Sequence, residues 1–286
     1  MNPAPLSLST ATSPQMRKNT EFGGKVAVIG NGYVGKAVRR FFGLRYETVV
    51  YDPAYLNGVT KADVNACGLG VVCVPTPSAA DGTCDISIVE EVVDWLETPL
   101  ILLHSTVRPG TTEQLRGRGK RVVFSPEYIG ESSYFTSPEH PHPTDIEKHT
   151  FFIFGGDPKD TSECVDWFAP IVGPSPFFYQ VDATTAEVIK YWENCWGAMK
   201  VTFANEMYAV CEALGVDYWK AREGWALDSR VEKMHSAVFK AQRGYGGKCL
   251  PKDVAGLVAA ARAAGYEAEL LAQVMKSNAR FRDDNL

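Results

Sequence analysis

The sequence predicts an α/β protein in two parts: a doubly wound parallel sheet first, then an all-helical region built on one long central helix. Three observations predict it. From residue 25 onward, short aliphatic and β-branched runs alternate with segments of helical spacing. The first run leads directly into a glycine-rich turn, GNGYVG. Residues 184–215 then contain no proline and carry large apolar residues on more than one side.

The elements follow in order. KVAVIG (25–30), ETVVYD (47–52), LGVVCVP (69–75), LILLHST (100–106), RVVFSPE (121–127) and TFFIFGG (150–156) read as strands. Their near-continuous apolar character suits strands buried on both faces, as in a parallel sheet. YVGKAVRRFF, DISIVEEVVDWLE and PGTTEQLRG between them have helical spacing. Residues 23–181 are thus expected to form a dinucleotide-binding domain of Rossmann type. Residues 182–286 would form a helical domain.

The long helix is expected over 184–215. Thr184 and Glu187 have capping-box spacing at its start, and Gly215 stands where a C′ glycine belongs. Continuous, it would run about 45 Å at 1.5 Å per residue. Trp192, Trp196, Phe203 and Met207 on it would be costly to leave facing water, which predicts a homodimer through this helix. VDYWKAREGWAL, PKDVAGLVAAARAAG and EAELLAQVMKSNARF read as the helices that follow.

Composition excludes several classes. With 45% hydrophobic and 22% charged residues the chain has the material for a sizeable core. A formal charge of −5 gives no nucleic-acid footprint. The longest apolar runs are strand-length, so no membrane partner is expected. Residues 1–22, rich in Pro, Ser and Thr, have no apolar core of a signal peptide and are expected to be a disordered tail. The seven cysteines show no CxxC pair, and the five histidines no ligand spacing, so no metal site is expected. An odd cysteine count without a secretion signal points to a reducing, cytoplasmic setting.

GNGYVG spans 30–35, between a strand and an amphipathic helix. Gly30, Gly32 and Gly35 permit the tight turn, the approach of backbone to a pyrophosphate and close helix–strand packing. Tyr33 and Val34 open the helix whose N-terminus would receive the phosphate. Asp52 ends the second strand, where a carboxylate accepts from both ribose hydroxyls and repels a 2′-phosphate. NAD is therefore expected over NADP.

GYGGKCLPKD (244–253) places Cys249 between glycines and a helix start, with Lys248 and Lys252 beside it. Helix dipole and cations both favour the nucleophilic thiolate. Lys190 and Asn194, at i and i+4, share one face of the long helix and could stabilise an oxyanion. SPEYIGE puts Glu127 and Glu131 at a strand end, where α/β ligand sites form.

Taken together, GNGYVG, CVPTP (73–77), STVRPGTTE (105–113), SPEYIGE (125–131), the Lys190–Asn194 helix with FANE (203–206), LDSR (227–230) and GYGGKCLPKD resemble the UDP-glucose/GDP-mannose dehydrogenases in content and order. The resemblance implies oxidation of a primary alcohol on a nucleotide sugar to a carboxylate, with two NAD reduced. It implies Cys249 as the nucleophile that carries a thiohemiacetal and then a thioester. Lys190 and Asn194 would stabilise charge on the substrate oxygen, Asp253 and Thr106 would position a water, and Glu131 would be a general base. Val74, Pro75, Thr76, Ser105 and Thr106 would line the cofactor. Glu127, Tyr128, Ile129, Tyr245, Gly246 and Gly247 would contact substrate, and Arg230 would reach the substrate of a neighbouring subunit. His104 stands before STV where the family has a different residue. Family members carry a further C-terminal α/β domain, whereas this chain stops at NARFRDDNL. A naturally short form is the expectation. The alternatives are a two-electron hydroxyacid-type dehydrogenase using Lys190, and a non-catalytic dinucleotide binder.

Overall fold

The computed structural model describes residues 24–55, 58–79, 81–129 and 145–283. The N-terminal tail and Glu131 lie outside them.

All six expected strands form: β1 (Lys25–Ile29), β2 (Glu47–Tyr51), β3 (Leu69–Val72), β4 (Leu100–Leu103), β5 (Val122–Phe124) and β6 (Phe151–Gly155). A seventh, β7 (Phe177–Val181), extends the sheet, whose order is β2-β1-β3-β4-β5-β6-β7. Five strands are mutually parallel. β6 runs antiparallel to β5, and β7 parallel to β6. The sheet is therefore mixed at one edge. A parallel return needs a crossover, usually helical. The chain from 125 to 149 holds four prolines, at 126, 138, 141 and 143, and no helical pattern. An antiparallel return avoids the crossover.

Helices α1 (Tyr33–Gly43), α2 (Lys61–Asn65), α3 (Ser87–Trp95), α4 (Thr111–Arg116) and α5 (Pro158–Val172) flank the sheet. α2 and α5 were not among the expected helices, although α5 carries a legible start: Asp157 caps it and Pro158 opens it. One sheet face packs an aromatic cluster of Phe41, Phe42, Phe152, Phe154 and Phe168. The other packs aliphatics such as Ile29, Val89, Leu103 and Leu115. Each fully buried side chain of this size contributes roughly 1.5–3 kcal/mol.

The long helix, α6, spans Ala183–Ala213. Its start corrects the capping-box expectation. Asp182 is the cap, accepting from the Thr185 amide at 2.9 Å. Glu187 leaves its own helix end and crosses to α4 instead. Its carboxylate accepts from the amides of Gly110 (2.5 Å) and Thr112 (2.7 Å) and from the Thr112 hydroxyl (2.6 Å). A carboxylate at a helix N-terminus satisfies both orphan amides and dipole. At 0% exposure, Glu187 pins α6 to the sheet layer. At the other end Gly215 takes a positive φ of 67°, and the Val216 amide donates to the Cys211 carbonyl at 2.8 Å. That is the expected glycine stop.

α7 (Tyr218–Trp225), α8 (Leu250–Ala263) and α9 (Glu269–Asp283) complete the chain. α8 and α9 pack on α6 around Cys195, Ala198, Tyr245, Val254 and Val274. Among the described residues, no helix is long and apolar enough to cross a membrane, and no group of three His, Cys, Asp or Glu could hold a metal.

Candidate active site and cofactor cradle

The glycine turn behaves as its spacing requires. Gly30 has φ 98°, and a Cβ on Gly35 would lie 1.9 Å from the Gly30 carbonyl oxygen. Only glycine lets α1 sit this close to β1. A Cβ on Gly32, by contrast, meets nothing within 4 Å: that side of the turn is open. Gly32 is the N-cap of α1, no side chain caps the helix, and its first turn holds no acid. An anion at this helix start therefore meets a favourable dipole with no acidic side chain in the first turn. Tyr33 is exposed there and Val34 half-buried. Asp52 accepts from the Asn31 amide (2.7 Å) and the Ala54 amide (2.9 Å), which fixes its carboxylate at the end of β2. Each oxygen keeps a lone pair for a ribose hydroxyl. These features fit NAD.

Farther along the strand ends, Val74, Pro75 and Thr76 follow β3, and Ser105 and Thr106 follow β4. The Ser105 hydroxyl donates to the Val74 carbonyl at 2.8 Å, tying the two loops together. Cys84 adds a second tie, its thiol donating to the Thr106 carbonyl at 3.3 Å. His104 is buried, its Nδ1 bonded to the Ser125 carbonyl at 2.8 Å. Burial pushes its pKa down.

The loop after β5 brings Glu127 to α6. The Lys190 ammonium donates to the Glu127 carboxylate (2.9 Å) and to the Glu127 carbonyl (2.5 Å). Both side chains are nearly buried, at 8% and 11% exposure. Burial alone would lower the Lys190 pKa. The Glu127 charge and hydrogen bond outweigh it and carry the value above that of an ordinary lysine, with Asp253 and Cys249 adding to the pull. Glu127 also accepts from the Ile129 amide at 2.8 Å. Tyr128 is half-buried with Lys190 5.9 Å from its ring centre.

One turn along α6, the Asn194 amide donates to Asp253 at 2.5 Å. Asp253 is buried in the first turn of α8, and Cys249 is the N-cap of the same helix. The Asp253 amide donates to the Cys249 carbonyl at 2.9 Å. Pro251 lies in the first turn, as expected. Lys252 does not serve the thiol alone: its ammonium is committed to Asp253 at 2.5 Å. Cys249 is exposed, while the other six cysteines are buried. Lys190, Asn194, Asp253 and Cys249 therefore converge, on two helices, beside the loops that follow β3 and β4. Arg230 stands apart, 87% exposed and paired with Asp228.

The glycines around Cys249 admit a neighbour of their own. A Cβ on Gly244 would lie 2.5 Å from Asn278 Oδ1, and one on Gly246 2.7 Å from an Arg282 nitrogen. Both partners are on α9. Tyr245 is buried between α6, α8 and α9, and Gly247 takes a φ of 77°. Two buried amides hold this turn: Asn278, which sequence reasoning did not find, and Asn205, which it met only within FANE and gave no role. Their signal is weak: an asparagine inside an otherwise amphipathic helix.

A glycine turn between β1 and α1 with Asp52 at the end of β2, and an ammonium, a carboxamide, a carboxylate and a thiol gathered on α6 and α8, are the parts that an NAD-dependent dehydrogenase needs. Residues 54–144 match the NAD binding domain of the UDP-glucose/GDP-mannose dehydrogenase family, and residues 184–280 match its central domain. A UDP-glucose 6-dehydrogenase of Haloferax volcanii is 32% identical over 89% of this chain and 69% of its own length. A GDP-mannose 6-dehydrogenase of Azotobacter vinelandii is 32% identical over 78% of this chain, which spans about half (53%) of that relative. The solved UDP-glucose dehydrogenase of Pyrobaculum islandicum superposes with a TM-score of 0.76 at 25% identity, covering 90% of this chain and 68% of that one. The chain belongs to the UDP-glucose/GDP-mannose dehydrogenase family.

Proposed function

We propose that the protein oxidises the primary alcohol of a nucleotide sugar, or of a related nucleotide, to a carboxylate in two NAD-dependent steps through a covalent Cys249 intermediate. The convergence of Cys249, Asp253, Asn194 and Lys190 carries this reading. NAD, held at the Gly30–Gly35 turn and by Asp52, would supply the hydride acceptor for each oxidation. Lys190 has three donors, of which Glu127 takes two, leaving one N–H for the substrate oxygen. Asn194 likewise keeps one N–H beyond its bond to Asp253. Both would stabilise negative charge on that oxygen. After the first oxidation the Cys249 thiolate adds to the aldehyde carbon, giving a thiohemiacetal whose oxygen takes up a proton. Loss of the second hydride and that proton leaves a thioester. Asp253, with lone pairs left after Asn194 and Lys252, and Thr106 would position the water that releases carboxylate and thiol. The general-base role of Glu131 belongs to the same proposal.

A two-electron dehydrogenase using Lys190 for proton transfer would need that ammonium to lose its proton near neutrality. Glu127 holds the proton on, which favours the electrostatic role. The test is NADH counted per substrate consumed, over a panel of nucleotide sugars and free nucleotides. Two per substrate is the expected result. One per substrate would return the two-electron reading, and NAD binding without turnover would leave a non-catalytic binder.

The homodimer belongs to the same proposal. Trp192, Trp196, Phe203, Met207, Val210 and Leu214 make one exposed stripe along α6, with Trp192 at 71% and Leu214 at 72% exposure. A second copy would cover it. Sedimentation at micromolar concentration should show a dimer that Phe203→Glu dissociates; a wild-type monomer would remove the idea.

A further inference from the structure

The turn bearing Cys249 is held from both sides by side-chain amides that no catalytic role accounts for. On the α9 side, Asn278 is 7% exposed. Its Oδ1 accepts from the Tyr245 amide at 2.6 Å, and its Nδ2 donates to the Tyr245 carbonyl at 3.0 Å. Both backbone polar groups of Tyr245 are thus satisfied by one side chain, as a neighbouring strand would satisfy them. Val274, one turn earlier on α9, packs in the same cluster as the Tyr245 ring. On the α6 side, Asn205 is 2% exposed. Its Oδ1 accepts from the Gly244 amide (3.1 Å) and the Arg243 side chain (2.9 Å), and its Nδ2 donates to the Val201 carbonyl (2.9 Å).

Downstream, the Cys249 carbonyl accepts from the Asp253 amide where α8 begins. Gly246 and Gly247 lie between that anchor and Tyr245, so the segment is intrinsically loose. The position of the thiol over the substrate carbon then depends on how firmly Tyr245 is fixed. Gly244 is part of the device, because any side chain there would push Asn278 Oδ1 away.

We propose that Asn278 is a positioning residue for Cys249: its amide stands in for a neighbouring strand at Tyr245 and sets where the thiol-bearing turn ends. The inference rests on Cys249 being the nucleophile. It makes α9 a support for the position of the thiol.

The test uses the full chain with Asn278→Ala and Asn278→Asp. The aspartate keeps an acceptor for the Tyr245 amide and loses the donor to its carbonyl. In Asn278→Ala, kcat for NADH formation should fall about 100-fold, the scale of an ångström of misplacement, while KM and the Kd for NAD stay close to wild type. The rate of Cys249 alkylation by iodoacetamide, followed against pH with Cys249→Ala as the blank, should be displaced from the wild-type curve. Asn278→Asp should fall between the two. A folded Asn278→Ala protein with the wild-type alkylation curve and wild-type kcat would overturn the proposal. Should the alanine variant not fold, Asn278→Asp decides by the same two readouts. The alkylation arm needs no substrate. If wild type turns over no nucleotide sugar, the functional reading fails while the positioning claim is still decided.

Discussion

Cys249→Ala should abolish carboxylate formation and lower turnover of a nucleotide sugar by at least about 10³-fold. The thiol is the one exposed cysteine of seven, at the start of α8 and one turn from Asp253. Without it no covalent bond retains the aldehyde between the two oxidations, so any residual NADH should approach one per substrate consumed, with free aldehyde detectable by a hydrazine trap. Stability should hardly change, because Cys249 is exposed and surface substitutions usually shift unfolding by no more than about 0.5 kcal/mol. Two NADH per substrate from the alanine protein, at wild-type rate, would end the covalent mechanism.

Glu127→Gln should produce the largest loss of stability. Lys190 and Glu127 are nearly buried, and removing one charge leaves the other desolvated without a partner. Breaking such a pair costs about 3–5 kcal/mol, a large part of the roughly 5–15 kcal/mol that holds a domain folded. Glutamine still offers an oxygen to the ammonium, and the residue-127 carbonyl remains, so the lower half of that range is expected. The sign with pH follows from Lys190. Its folded value is raised, so its contribution is fully present below the ordinary lysine value of 10.5 and is lost only as pH climbs through the higher folded value. Urea unfolding of both proteins should therefore give the full difference at pH 6 and 7.5, narrowing at pH 9 as the unpartnered Lys190, lowered by burial, sheds its proton in the variant. A difference below about 1 kcal/mol, the usual size for an exposed pair, would mean the pair is not buried in solution.

How much of this was legible in the sequence depends on the range over which each feature is encoded. β1, β3 and β4 announce themselves because strands buried on both faces need uninterrupted apolar runs. β7 does not, because as an edge strand it leaves Phe177 and Tyr179 exposed and shows no clean alternation. Cys249, Asp253, Lys190 and Asn194 could be singled out from spacing within one helix or one turn. The pairing of Lys190 with Glu127, 63 residues apart, could not, because nothing local to either residue encodes it. Glu187 shows the hazard of local reasoning. Its spacing from Thr184 is that of a capping box, yet the unfilled amides of α4, 75 residues earlier, compete for the same carboxylate and win. In the sequence, the glycines of GYGGKCLPKD show only that something can approach the backbone closely there. Two of them are openings toward α9.

Glu187 also gives α6 the mechanics of a lever with its fulcrum near one end. Lys190 is three residues from that fulcrum, about 4.5 Å along the axis, whereas Asn205 is eighteen residues out, about 27 Å. A given tilt of α6 therefore displaces Asn205 roughly six times as far as Lys190. Strain applied at the far end, where the apolar stripe runs, barely disturbs the ammonium. It reaches the Cys249 turn amplified, through the Asn205 grip on Gly244, so Lys190 and Cys249 have very different mechanical tolerances.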